Sequence, residues 1–104
     1  IETASKYAME IPFRVMKKSF ESMEIMKAMA ETGNTNSVSD AGVGALCANA
    51  AVRGAYMNVR INASRVEDKA FVANLVEMGS QIEREARDLE AIIVNIVDQK
   101  IAAM

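Results

Sequence analysis

The sequence predicts an all-α chain. It reads as a long-helix bundle of about three helices with a central apolar helix, forming part of a larger multihelical oligomeric domain. Three observations predict this. Apolar residues at both ends of the chain recur in steps of three and four, the helical period. One Pro and five Gly leave too few turn residues for an all-β sandwich. The middle of the chain is apolar or small in every direction around a helix, so it belongs inside something. With 51% hydrophobic and 25% charged residues, the chain is also not a disordered one.

The first predicted helix runs from about Glu2 to Thr32. Ala4, Ala8, Ile11 and Val15, then Met16, Phe20, Met23, Met26 and Ala30, keep the helical step, with Lys17, Lys18, Glu21 and Glu24 between them. Pro12 interrupts this pattern. It lacks a backbone donor and crowds the carbonyl of Ala8, so a kink or break is expected near Ile11. The Met-rich face (Met16, Met23, Met26, Met29) reads as adaptable core. Glu10 and Glu31 read as solvated.

Gly33-Asn34-Thr35-Asn36-Ser37 is the clearest loop. Gly33 stands where a left-handed helix end is expected. Ser37 or Ser39 is positioned to cap the next helix, with Asp40 in its first turn.

The second helix, about Asp40 to Asn62, carries Ala41, Val43, Ala45, Leu46, Cys47, Ala50, Val52, Ala55, Met57, Val59 and Ile61 all round its axis. Such a helix is normally buried on every side. Gly42, Gly44, Ala48, Ala51 and Gly54 leave thin surfaces for close neighbours, while Asp40, Arg53 and Arg60 favour protein burial over lipid. Cys47 reads as a packed, inert thiol.

The third helix runs from about Val66 to the end, with Glu67 or Asp68 in its first turn. Leu75, Gly79, Ile82, Ala86, Leu89, Ile93 and Ile96 form a heptad seam. Helices of about 23 to 37 residues would be roughly 35 to 55 Å long. Three such helices give the middle one only two neighbours. The chain alone should therefore leave a large apolar surface, which implies a missing part, an oligomer or both.

Composition narrows the function. A 104-residue chain is one domain at most, or part of one. Twelve Lys and Arg against fourteen Asp and Glu give no basic patch, so nucleic acid is not an expected partner. With no His and one Cys, the usual zinc site, a Ser-His-Asp triad and an internal disulfide are excluded, and no metal is expected. A lone Cys suits a reducing compartment, so a cytoplasmic location is expected. No uncharged apolar run of about 18 residues is present, so no membrane span is expected. The chain begins with Ile1, and no signal-peptide pattern follows, which suggests a processed or truncated chain.

Two constellations could carry chemistry. The stretch from Gly33 to Asp40 gathers donors and acceptors at a helix start. It reads either as an ordinary capped helix or as a site for an anionic or carbonyl-bearing ligand. Asn49, Arg53 and Arg60 share one narrow stripe of the second helix, with Asn58 and Asn62 opposite. Buried arginines there would be paired with a neighbouring carboxylate or would bind an anion. Asn58 and Asn62 read as structural bridges.

The text of the middle region adds more. The run from Gly33-Asn34-Thr35-Asn36-Ser37-Val38-Ser39-Asp40 through Leu46, and then Ala51-Val52-Arg53-Gly54-Ala55-Tyr56-Met57-Asn58-Val59-Arg60-Ile61-Asn62, resembles the formiminotransferase-cyclodeaminase family. Its bacterial members are described as methenyltetrahydrofolate cyclohydrolases or formiminotetrahydrofolate cyclodeaminases. Glu10-Ile11-Pro12-Phe13 is similar to the family's helix entering this region. The likeness spans nearly the whole chain, most specifically from Gly33 to Asn62 and least in the heptad helix. The resemblance implies an all-helical, usually dimeric domain of about 200 residues. Residues 1–104 would then be its C-terminal half, lacking the Gly-rich helix start and the Asp-containing segment of the N-terminal half.

The implied chemistry is folate one-carbon interconversion. Either 5-formiminotetrahydrofolate closes to the 5,10-methenyl form with loss of ammonia, or the methenyl form is hydrolysed to 10-formyltetrahydrofolate. A tetrahydrofolate derivative enters as substrate, and no metal is implied. No catalytic residue carries over. Asn34, Asn36, Ser39, Asp40, Arg60 and Asn62 are the candidate substrate-binding residues, and Arg53 or Arg60 would suit the anionic glutamate tail. The alternative is a non-catalytic helical oligomerisation module.

Overall fold

The computed structural model describes residues 1–104, and three helices follow the three periodic segments: α1 (Glu2–Thr32), α2 (Val38–Ala63) and α3 (Lys69–Ala102). The boundaries of α1 are those read from the sequence. Those of α2 extend a little further at both ends, and α3 starts three residues later than expected. The helices lie side by side in a rod of 56 × 18 × 16 Å.

Pro12 does not break α1, which runs unbroken through it. The ring lies on an open groove together with Ala8, so water can reach the carbonyl that Pro12 leaves without a donor. Gly33 also departs from expectation. Its φ of −71° and ψ of 163° are extended, not left-handed. The helix end is closed instead by the Gly33 amide, which donates to Met29 O at 2.8 Å. Lys100 of α3 completes that end by donating to Ala30 O and, at 2.8 Å, to Glu31 O. It supplies the positive charge that the last turn of α1 lacks.

The core follows the helical period, but along the first half of α1 it takes Met9 and Phe13, while the expected Ala4, Ile11 and Val15 are exposed. In α2, Val38, Ala41, Ala45, Ala48, Val52, Ala55 and Val59 are buried, a strict alternation of threes and fours. These mostly small residues meet the long side chains of Met9, Met16 and Met23, all fully buried on α1. Flexible methionines fill the gaps that alanines leave. The heptad seam of α3 packs on its own chain, with Leu75, Gly79, Ala86, Leu89 and Ile93 buried and Ile82 and Ile96 partly so. It is not left open for a subunit partner. The helix axes are held close at Gly42, where an added Cβ would stand 3.2 Å from Val97 Cγ1.

The connection between α2 and α3 is held by the start of α1. Glu2 accepts from the amides of Glu67 and Asp68, both at 2.9 Å. Lys6 Nζ donates to Asp68 at 3.0 Å and stands 5.0 Å from the Phe71 ring centre. The two amide bonds, that of Glu67 foremost, hold the Glu2 carboxyl below its usual range. The bond from Lys6, then that from Phe71, does the same for Asp68, while the Asp68 bond raises Lys6. Asp68 is the N-cap of α3, accepting from Phe71 N at 3.1 Å, so neither it nor Glu67 lies in the first turn.

Candidate functional site

The six candidate residues fall at two opposite ends of α2. Asn34, Asn36, Ser39 and Asp40 are exposed around the α1–α2 turn. Arg60 and Asn62 lie in the last turn of the helix. Ser39 and Arg60 are 21 residues apart, about 31 Å along the axis at 1.5 Å per residue. The two sets therefore cannot close on one reacting carbon within a single chain.

At the first end, the Asn34 side chain is the organiser. Its Oδ1 accepts from Ser37 N at 3.1 Å and from Ser37 Oγ at 3.3 Å. Ser37 holds the N-cap position of α2 but makes no side-chain capping bond, because its hydroxyl turns back to Asn34. Ser39 lies inside the helix and is not its cap. Asp40 stands in the first turn, where negative charge is favoured by the free amides.

The polar stripe of α2 is divided by burial. Asn49 is buried, and its Nδ2 donates to Glu90 Oε1 at 3.0 Å. Its Oδ1 is sealed from solvent without a partner. Arg53 and Arg60, expected to be buried, are exposed. Asn49 on the same stripe meets Glu90 of α3, but no carboxylate stands within ion-pair distance of either arginine. Neither takes part in the three ion pairs, Lys6–Asp68, Arg14–Glu10 and Lys18–Glu21. Arg60 lies over the Tyr56 ring at 4.4 Å and donates from Nε to Tyr56 O at 3.4 Å. That leaves the end of its fork free for an anion.

Asn62 donates from Nδ2 to Asn58 O at 2.9 Å, a bond within the helix and not a bridge between helices. Both residues stand at an open groove of about 560 Å³ between α1 and α2. Ala8, Ile11, Pro12 and Val15 form its α1 wall, and Ala51 and Ala55 its α2 wall. The sequence reading missed this groove, although a Pro-bearing apolar face opposite a small-residue helix was the available signal.

The outward face of α2 is open. Val43, Leu46, Met57 and Ile61 are 49–71% exposed, and a Cβ at Gly54 would meet nothing within 4 Å. Cys47 is exposed as well, not packed. The expected apolar surface is therefore present, and it runs the length of the helix. No helix is long and apolar enough to cross a membrane. No group of three His, Cys, Asp or Glu residues stands together as metal ligands.

The family model described as formiminotransferase-cyclodeaminase matches residues 1–81, which take in α1, the turn, α2 and the first part of α3. The chain belongs to the formiminotransferase-cyclodeaminase family. It is 34% identical over 101 residues to a methenyltetrahydrofolate cyclohydrolase of Methylorubrum extorquens, a match covering 97% of this chain and 49% of that protein. It is 32% identical over 97 residues to a formimidoyltransferase-cyclodeaminase of Gallus gallus, covering 93% of this chain and 18% of the relative. A Dictyostelium discoideum protein of the same description is 30% identical over 100 residues, 96% of this chain and 19% of its own length. The chain thus spans about half of the cyclohydrolase and under a fifth of the two larger proteins. In this family member the likeness extends across both ends of α2 and the groove beside it.

Proposed function

We infer that this chain serves folate one-carbon interconversion, as the C-terminal half of a single cyclodeaminase- or cyclohydrolase-like helical domain. The observation that carries the reading is the 34% identity, over 97% of the chain, to a methenyltetrahydrofolate cyclohydrolase. Hydrolysis of 5,10-methenyltetrahydrofolate to 10-formyltetrahydrofolate is the first reading. Water adds to the carbon between N5 and N10, and the bond to N5 breaks. Cyclodeamination of 5-formiminotetrahydrofolate, with loss of ammonia, is the second, supported by the names of the two larger relatives.

The roles of this chain's residues are to bind and position. Arg60, exposed and free of carboxylate partners, suits the anionic glutamate tail. Asn62 presents its amide at the groove. Asn34, Asn36, Ser39 and Asp40 wall the other end of α2, beside the helix amides. A proton-transferring carboxylate would come from outside this chain. The open face of α2 would be covered by the other half of the domain and by a second copy in a homodimer, working in the cytoplasm.

The test is the absorbance of methenyltetrahydrofolate with the full-length protein that carries this segment. Its decay supports hydrolysis, and its appearance from 5-formiminotetrahydrofolate supports cyclodeamination. If neither substrate turns over, the reading fails and a non-catalytic helical module takes its place. The 104-residue chain alone is expected to be inactive.

A further inference from the structure

We propose that the groove between α1 and α2 holds the planar heterobicyclic ring of the folate, with Asn58 reading its polar edge. The proposal rests on the folate reading above and adds a place and a residue to it. Three observations meet here. The groove, at about 560 Å³, is within the ~300–1,000 Å³ range of small-molecule sites. Its sides are apolar and thin: Ala51 and Ala55 face Ile11, Pro12 and Val15. A flat ring laid in this open groove would bury one face against carbon.

The third observation is the unused hydrogen-bonding capacity at one end. Asn62 directs its Nδ2 to the backbone oxygen of Asn58, so its Oδ1 is left free to accept. The Asn58 carboxamide makes no hydrogen bond within the chain, so its donor and acceptor are both free. Two amides at the end of an apolar slot match a ligand whose faces are apolar and whose rim alternates N–H donors with ring-nitrogen and carbonyl acceptors.

The test uses the full-length protein and two probes, folic acid and p-aminobenzoylglutamate, which lacks the heterobicycle. Binding is measured by titration calorimetry. Asn58→Ala should weaken folic acid about tenfold, the scale of one hydrogen bond, and leave p-aminobenzoylglutamate within about twofold. Ala51→Trp, which fills the slot from an exposed position, should abolish folic acid binding while circular dichroism shows the helices intact. Unchanged folic acid binding in both variants, equal weakening of both probes, or no folic acid binding by the unaltered protein would overturn the proposal. Turnover is scored separately. Turnover without dependence on Asn58 removes only this inference. Asn58-dependent binding of folic acid without turnover removes only the enzymatic reading.

Discussion

The ring of Tyr56 occupies the space that any side chain at residue 79 would need. A Cβ at Gly79 would stand 2.7 Å from Tyr56 Cε1, and the Tyr56 hydroxyl donates to Val76 O at 2.9 Å. This contact fixes the register between α2 and α3 at the end nearer their connection. Tyr56 cannot move aside without losing its hydrogen bond, because ring and hydroxyl are both engaged. Gly79→Ala should therefore destabilise by about 1–3 kcal/mol, despite the roughly 1 kcal/mol that alanine gains in helix propensity. Tyr56→Phe should lose about 1 kcal/mol by leaving the Val76 carbonyl with one partner fewer. Urea unfolding followed by circular dichroism measures both. A Gly79→Ala chain more stable than the original would refute the packing argument.

Asn49 and Glu90 provide the second case. Asn49→Asp would place a carboxylate against the Glu90 carboxylate at the buried end of the 3.0 Å bond. The expected loss is about 2–4 kcal/mol at pH 7, from repulsion and from burial of an unpaired charge. The same loss in Asn49→Asp with Glu90→Gln would show that repulsion plays no part.

The pH dependence should centre on the latch of Glu2, Lys6 and Asp68. Glu2 and Asp68 have folded pKa values below their ordinary 4.5 and 3.8. Depressed groups contribute stability that is present above those ordinary values and lost as pH falls through the lower folded ones. Lys6 is shifted up from 10.5, so its contribution is present below that value and lost at higher pH. The stability gap between the original chain and Glu2→Gln should thus be constant from pH 6 to 8 and close below about pH 4. Urea midpoints across that range test this, and a gap that widens on acidification would contradict it.

Cys47 reports on the open face of α2. Its thiol is exposed in the chain, so it should react fully with a chromogenic disulfide reagent without denaturant. If the chain is the half-domain proposed above, the reaction in the longer protein should slow at least tenfold as further helices cover this face. Equal rates in the two would argue that the α2 face stays open to water.

Much of the fold was legible in the residues. Steps of three and four located α1 and α3 and named Met16, Met23, Ala86 and Ile93 as core, because the helical period is a local property that side-chain spacing must obey, while α2 was read from its all-round apolar character. Arg53 and Asn49 show where this reasoning stops. They are one turn apart on the same stripe, yet Asn49 is buried against Glu90 and Arg53 is in water. Gly33 shows it again. Its extended backbone follows from how the turn leads into α2, and glycine permits that conformation without requiring it.

The sequence by itself determined the helices, their order, the inward faces of α3 and of α1 from Met16 onward, and the excess of apolar surface on α2. The tertiary structure alone decided which side of α2 is covered, that the α3 seam is satisfied within the chain, and that the candidate residues lie at two ends with a groove beside one of them. A helix apolar all round carries no directional signal in its period. Direction comes only from where its neighbours pack, and distance between residues on one helix becomes a constraint only once the axis is drawn.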